Sequence, residues 1–475
     1  MQVRRCAVFL SACTPALMLV SAAAAQSPAA APPPYVVLGA QGPVARAIMI
    51  PDGNNNIPPC PQIEVDGSSR AMTIRAQPGT DFNIRVCELV LGSAKSATIA
   101  GQALPLPPEK LEIIAVFGDT GCRIKAKAAS AEQLAKNRDE EDDEDEAEAA
   151  AAAAGNKKPK VQDCNNTDDW PFGPMSTAIA NAKPDLVIHV GDYLYRESAC
   201  PPGYWKDCGE TPYGDNWLTW AADFFVPAAD LLQVAPWIVA RGNHEDCDRA
   251  WRGYALMLDP TPLSGGETLQ CVPMIDQYTV TAGGRAFIML DSSDAADECP
   301  DSGCDSKPYK KQFEAMRPAP GTWLITHKPI WGFTYSKNKK TGERELGIRN
   351  FTLQDALDNS TFNKKPPTGI DLVLSGHIHL WEALSFEDGR SPQFVLGAGG
   401  TELAHKLPKD KDIIGHEIGG TKIAAFASDR DGDFGYTLFA PSSGGGHWDA
   451  TFYDKDGTAK FACKVKPTDV ECKDK

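Results

Sequence analysis

The sequence predicts an α/β (α+β) protein whose strands are buried between covering layers, preceded by a smaller β region. Three observations carry that expectation. From Leu111 onward, strongly apolar runs each stop at a polar or glycine-containing loop: LEIIAVFGD, DLVIHVGD, PWIVARGN, TWLITH and IDLVLSGH. A run that is apolar at every position marks a strand covered on both faces. Helix-like stretches lie between the first three, for example Met175 to Ala182 and Trp217 to Leu232, so strands and helices alternate. Finally, 42% hydrophobic content with 41 Gly and 37 Pro in 475 residues is ordinary globular composition, at a length that suggests two or three domains.

In chain order, residues 1–25 have the layout of a secretory signal peptide. Arg4 and Arg5 precede an apolar stretch from Cys6 to about Val20, and Ser21 to Ala25 ends in small residues with cleavage expected near Ala25. A minor alternative is a lipoprotein signal at Leu10-Ser11-Ala12-Cys13. Residues 26–34 (QSPAAAPPP) read as a Pro/Ala linker. From Tyr35 to 108, short alternating runs such as Ala71 to Arg75 and Asn83 to Val90 are divided by Gly, Pro and Asn, which predicts a small β domain. Residues 109–475 form the α/β domain, interrupted at about 126–160 by an Ala-rich, acidic insertion that cannot bury enough apolar surface to fold alone. No later segment approaches the roughly 20 apolar residues of a membrane span, so a secreted or periplasmic protein is expected.

The net charge of −16 is misleading as a statement about partners. Residues 139–148 (DEEDDEDEAE) hold nine acids, and without them 47 Lys and Arg face 54 Asp and Glu, a net of −7. The remainder is mildly acidic, and no nucleic-acid binding is expected. Of 14 Cys, Cys6 and Cys13 leave with the signal; the other 12 form an even set suited to an oxidising compartment. Connectivity does not follow from sequence, but neighbours suggest Cys60 with Cys87, Cys122 with Cys164, Cys200 with Cys208, Cys247 with Cys271, Cys299 with Cys304, and Cys463 with Cys472. The paired CxxC spacings of zinc sites do not occur.

Ligands of α/β sheets sit beyond the ends of strands. There this chain places Asp119 in GDTG, Asp192 and Tyr195 in GDYLY, Asn243 and His244 in GNHE, His327 in THKP, and His377 and His379 in GHIH. Half of the chain's eight His fall in these loops, a concentration that composition does not explain. Carboxylates, a phenol and imidazoles suit iron, zinc or manganese. Tyr195 must ionise from an ordinary pKa of about 10 to bind, which favours a trivalent partner such as Fe(III).

The ordered set GDxG, GDxxY, GNHE, a lone His and GHxH resembles the calcineurin-like metallophosphoesterases, and more narrowly the purple acid phosphatases. In the superfamily the first motif is usually DxH; here Gly121 stands in place of that His, and Tyr195 supplies the missing ligand. The resemblance implies a four-layer α/β/β/α sandwich and a centre of two metal ions, Fe(III) plus divalent Fe, Zn or Mn. It puts Asp119, Asp192, Tyr195 and His379 on one ion, and Asp192, Asn243, His327 and His377 on the other, Asp192 bridging. It further implies hydrolysis of a small-molecule phosphate monoester by metal-activated hydroxide, with His244 as leaving-group acid, in contact with substrate, and Glu245 holding its ring. The alternatives are a phosphodiesterase or nucleotidase and, from another class, a non-catalytic phosphate- or metal-binding protein. Plant-type relatives carry further substrate-facing His after the lone His; here Lys328 to Tyr335 contains none, so the substrate does not transfer.

Blander readings hold elsewhere. His189 sits inside a strand and is expected to be a satisfied core residue, while His405, His416 and His447 are expected in surface roles. Asp291 reads as a loop cap, and Gly397 to Gly400 and Gly444 to Gly446 as turns. Trp331, Phe333 and Tyr335 either wall the substrate pocket or pack a loop.

Overall fold

The structure, a computed structural model, describes residues 31–126, 159–263, 269–299, 303–337 and 342–475. The signal peptide, Cys13, the first residues of the linker and the acidic run lie outside the described residues. Among the described residues no helix is long and apolar enough to cross a membrane.

Two large mixed sheets dominate. The first has eleven strands in the order Asp469–Asp474, Ala459–Lys466, Trp448–Asp454, Gly435–Pro441, Ile114–Phe117, Leu186–His189, Trp237–Val239, Tyr35–Gly39, Gly42–Met49, Arg85–Val90, Thr73–Ala76. Its centre is parallel: Leu186 pairs with Ile114, Val187 with Trp237, and Trp237 with Val37. The second has eight, in the order Tyr278–Ala282, Arg285–Leu290, Thr322–Thr326, Ile370–Ser375, Gln393–Leu396, Trp381–Phe386, Thr421–Ser428, Glu417–Ile418. Its strands from Arg285–Leu290 to Gln393–Leu396 are again parallel.

Side-chain alternation explains the layers. Along Ile114–Phe117 and Leu186–His189, residues Ile114, Val116, Leu186 and Ile188 face the second sheet and meet Met289, Ile325, Leu374 and Phe394. Their alternates Ala115, Phe117 and Val187 pack on Phe172, Met175 and Ile179 of helix Phe172–Asn181. On the far side, Ile288, Leu324 and Val373 pack on helices Lys307–Ala315 and Phe351–Asp358 through Phe313, Leu353 and Leu357. Helices, sheet, sheet and helices make four layers, which is why the central strands are apolar on both faces.

The expected separate β domain over 35–108 is corrected. Tyr35–Gly39 is buried at all five positions and pairs in parallel with Trp237–Val239, while Gly42–Met49, Arg85–Val90 and Thr73–Ala76 continue the same sheet. Buried Arg46 ties this edge to the main body by donating to the carbonyls of Met257 (3.0 Å) and Asp259 (2.7 Å). Gln62–Val65, Ser68–Ala71, Ala97–Ile99 and Gln102–Ala103 form a small sheet of their own. Alternation identifies a strand but not its partner, and this partner lies about 200 residues away.

Six disulfides join Cys60 to Cys87, Cys122 to Cys164, Cys200 to Cys208, Cys247 to Cys271, Cys299 to Cys304, and Cys463 to Cys472, the neighbour pairs expected. The second closes the neck of the acidic insertion, where Ile124–Lys125 pairs with Lys160–Val161.

Candidate metal centre

The carboxyl ends of the parallel strands in both sheets open onto one site. Asp119 follows Ile114–Phe117, Asp192 and Tyr195 follow Leu186–His189, and Asn243 and His244 follow Trp237–Val239. From the second sheet come His327 after Thr322–Thr326, and His377 and His379 after Ile370–Ser375. All eight are buried. Asp119, Asp192 and His377 hold left-handed backbone conformations (φ 59°, 60° and 71°), a cost that accumulates where geometry is imposed by function.

The seven expected ligands separate into two groups that share one residue. Ligand atoms of Asp119, Asp192 and His379 lie within 4.8 Å of one another, as do those of Asp192, His327 and His377. The Tyr195 hydroxyl completes the first group, 2.7 Å from Asp192 Oδ2, 3.0 Å from His379 Nε2 and 3.3 Å from Asp119 Oδ1. Asn243 Oδ1 completes the second, 2.9 Å from both His327 Nε2 and His377 Nδ1. A Cβ at Gly121 would stand 2.6 Å from the Tyr195 nitrogen and 2.9 Å from Tyr195 Cδ2. The glycine of GDTG is therefore the space that the Tyr195 backbone and ring occupy.

The hydrogen-bond pattern shows what these atoms lack. Each ligand imidazole spends its outer N–H on an outer acceptor: His327 Nδ1 on the Val190 carbonyl (2.8 Å), His379 Nδ1 on the Glu402 carbonyl (2.9 Å), His377 Nε2 on Asp297 Oδ2 (2.6 Å). The inner nitrogens then present lone pairs, and those of His327 and His377 meet the lone pairs of Asn243 Oδ1. Around Tyr195, one hydroxyl proton faces three acceptors. Such a convergence of lone pairs fits cations, and the oxygen-rich first group with the imidazole-rich second fits hard and borderline ions respectively. Burial raises the Asp192 carboxyl, but the imidazoles of His327 and His244 outweigh it and hold Asp192 well below the usual carboxylate range, so it is an anion at neutral pH. Burial holds His377 below its ordinary value, which keeps its lone pair available.

His244 reaches the site from a 3-10 turn, Asn243–Glu245. Its amide donates to Asp192 Oδ1 (2.9 Å), its ring lies against Tyr195 with centroids 3.8 Å apart, and Nε2 stands 3.9 Å from Asp192 Oδ2. The expectation that Glu245 holds this ring is corrected. Glu245 turns back and accepts the amides of Asp192 (3.1 Å), Tyr193 (2.8 Å), Leu194 (3.2 Å) and Gly242 (3.2 Å), fixing the ligand loop itself. The carboxylate beside His244 is Glu197, whose Oε1 lies 2.8 Å from Nδ1. Burial raises Glu197, but Arg249, Lys125 and His244 together keep it well below its ordinary range.

Sequence reasoning also missed three other groups. Asp297 backs His377 and is fixed by the Asn350 amide (2.7 Å). Buried Lys328 brings Nζ to 3.9 Å from Asp297. Asp223 accepts the amides of Tyr195 (2.9 Å) and Cys122 (3.2 Å), locking the tyrosine loop to the GDTG loop. Asp297 and Asp223 lie outside the motifs, and Lys328 follows His327 in THKP without any sign of its partner; the only signal is that His377 and Tyr195 need outer partners.

Of the aromatic trio, Trp331 and Phe333 take the packing alternative, lying edge-on against Phe386 and Phe426 in the core. Tyr335 does line the pocket that contains His377 and His379. His405, expected in a surface role, is exposed but lines that pocket as well, so an imidazole does reach the pocket from a later loop. His189 is a satisfied core residue, its Nε2 3.0 Å from Thr120 Oγ1 and its ring stacked on Tyr193. Asp291 caps its loop through the amides of Ser293 (3.0 Å) and Ile275 (2.9 Å).

Among solved structures, the chain is similar to one titled "Structure of PhoD", at 12% identity over 92% of this chain and 91% of that one, with a TM-score of 0.49. It is also similar to "GAP50 the anchor in the inner membrane complex of Plasmodium", at 14% identity over 75% and 89%, with a TM-score of 0.34. No curated protein sequence matches it. The family model described as calcineurin-like phosphoesterase matches residues 114–380, more than half the chain and every strand-end motif above, and the chain belongs to that family of metal-dependent phosphoester hydrolases.

Proposed function

We propose that the chain is a phosphomonoesterase of purple-acid-phosphatase type, exported to an oxidising compartment, with its catalytic machinery in residues 109–475. The observation that carries the reading is the Tyr195 hydroxyl among Asp119, Asp192 and His379, in the space left by Gly121. A phenolate beside two carboxylates favours Fe(III) in the first group, and one carboxylate with an amide and two imidazoles favours divalent Fe, Zn or Mn in the second. The six disulfides support export.

Two ions held by these residues would supply electrophilic activation of a phosphoryl group and of water. The protein's own work is positional. Asp192 carries the charge shared between the groups, and the four amides bound by Glu245 keep its loop from moving as charge develops. His244 presents Nε2 to the site while Glu197 faces Nδ1, an arrangement suited to donating a proton from Nε2 to the departing ester oxygen. A proton donor has no use in a protein that only binds metal or phosphate.

The test is a comparison of p-nitrophenyl phosphate with bis(p-nitrophenyl) phosphate on purified protein. We expect kcat/KM for the monoester to exceed that for the diester by at least about tenfold. The reverse order would assign a phosphodiesterase instead.

A further inference from the structure

One buried side chain joins the neck of the acidic insertion to the first metal group. Gln162 follows Lys160–Val161, the strand on which the chain returns from the insertion, and lies two residues before Cys164, which is bonded to Cys122. Its side-chain amide is fully used. Oε1 accepts the backbone amides of Arg123 (2.8 Å) and Glu402 (3.0 Å), and Nε2 donates to the carbonyls of Asp169 (2.7 Å) and Gly400 (3.1 Å). Two donors and two acceptors that converge on one buried point call for a carboxamide; a carboxylate answers only the amides, and a hydrocarbon answers none.

Two of the four bonds fall on a loop whose backbone lies along the first ligand loop. The amides of Gly399 and Thr401 donate to the carbonyls of Gly118 (3.0 Å) and Asp119 (2.9 Å), and the amide of Ala404 donates to the His379 carbonyl (2.9 Å). A Cβ at Gly400 would stand 2.7 Å from the Thr120 carbonyl oxygen, so this glycine lets the loop press directly on GDTG. The Glu402 carbonyl then accepts from His379 Nδ1 (2.9 Å). Gln162 thus holds the Glu402 peptide from its amide, and the Glu402 carbonyl orients the imidazole. The bond to the Arg123 amide fixes the segment that leaves GDTG. None of these contacts reaches Asn243, His327 or His377. We infer that Gln162 is a positioning residue for the first metal group, acting through Glu402 on His379, so that the base of the insertion is part of what holds that ion. The inference needs the family's two-metal centre, but neither the monoesterase reading nor the assignment of Fe(III).

The test is metal retention by the full-length, metal-loaded protein, measured by metal analysis after equilibration against graded EDTA, in the parent, Gln162→Leu and Gln162→Glu. The release step that Tyr195→Phe shifts belongs to the first ion, and the step that Asp297→Asn shifts belongs to the second. We expect Gln162→Leu to release the first ion at an EDTA concentration about 10- to 100-fold lower than the parent, with the second ion within about twofold of it. Gln162→Glu keeps an acceptor for the Arg123 and Glu402 amides but loses both donors, and should weaken the first ion by only about threefold. A residue that merely supports the fold would loosen both ions together. That result, or retention of both ions as in the parent, overturns the inference. If Gln162→Leu does not fold, Gln162→Glu decides: weakening confined to the first ion upholds the positioning role, and equal weakening of both ions or none overturns it.

Discussion

The two halves of the metal centre are built from the same architectural device, strand ends of parallel sheets, yet differ in chemistry. The first half gathers two carboxylates and a phenol around one imidazole; the second gathers two imidazoles and an amide around the carboxylate that both share. The first carries the larger negative charge, with the Glu402 carbonyl orienting His379 and Asp223 holding the Tyr195 loop; the second carries only the shared carboxylate, with the Val190 carbonyl orienting His327 and Asp297 orienting His377. One scaffold thus offers an oxygen-rich position and an imidazole-rich one side by side.

Replacing the shared residue should erase the difference. In Asp192→Asn both halves lose their common anion, and we expect metal content to collapse and turnover to fall at least about 10^3-fold. Retention of one tightly held ion by this variant would show that the halves are independent. His244→Gln should act on neither half: both ions stay, and kcat falls about 10^2- to 10^3-fold, with Glu197→Gln following in the same direction but more weakly. If metal analysis of His244→Gln shows loss from the first half, the imidazole is a structural support for Tyr195 and not a proton donor.

The smallest effect is expected from Asp297→Asn, which should weaken the second ion by about 10- to 100-fold and spare the first. It also carries a pH signature. Burial raises the Asp297 carboxyl, but His377 and Lys328 outweigh it and hold it well below the usual range. Its stabilising contribution is therefore present above the ordinary carboxylate range, near pH 4, and disappears as the pH falls further toward the folded value. Asp297→Asn should flatten the acid side of the Tm-versus-pH curve; an unchanged curve would mean that Asp297 is not ionised against His377.

How much of this was legible follows from how local each signal is. Asp119, Asp192, Asn243 and the three ligand imidazoles each sit two to five residues past an apolar run, so strand and ligand are read together. Glu197 was passed over because Glu245 is adjacent to His244 in sequence. The 3-10 turn sends Glu245 back to the amides of Asp192 to Leu194, and no pattern announces that direction. Asp297 acts on His377 across 80 residues, and Tyr35–Gly39 finds Trp237–Val239 across about 200. For the latter a clue did exist: YVVLG is apolar on both faces, as a central parallel strand must be and a half-exposed hairpin need not. His405 could not be assigned to the pocket because its loop carries no periodic signal.

The central claim is that Tyr195 is the ligand that sets the first half apart, and the visible spectrum of aerobically purified protein beside Tyr195→Phe, with metal analysis of both, tests it most directly. The account predicts a tyrosinate-to-Fe(III) charge-transfer band and one iron with one further metal ion per chain in the parent, and loss of the band and of iron, but not of the second ion, in the variant. A parent that holds only divalent ions and shows no visible band, or a band that survives Tyr195→Phe, would contradict it.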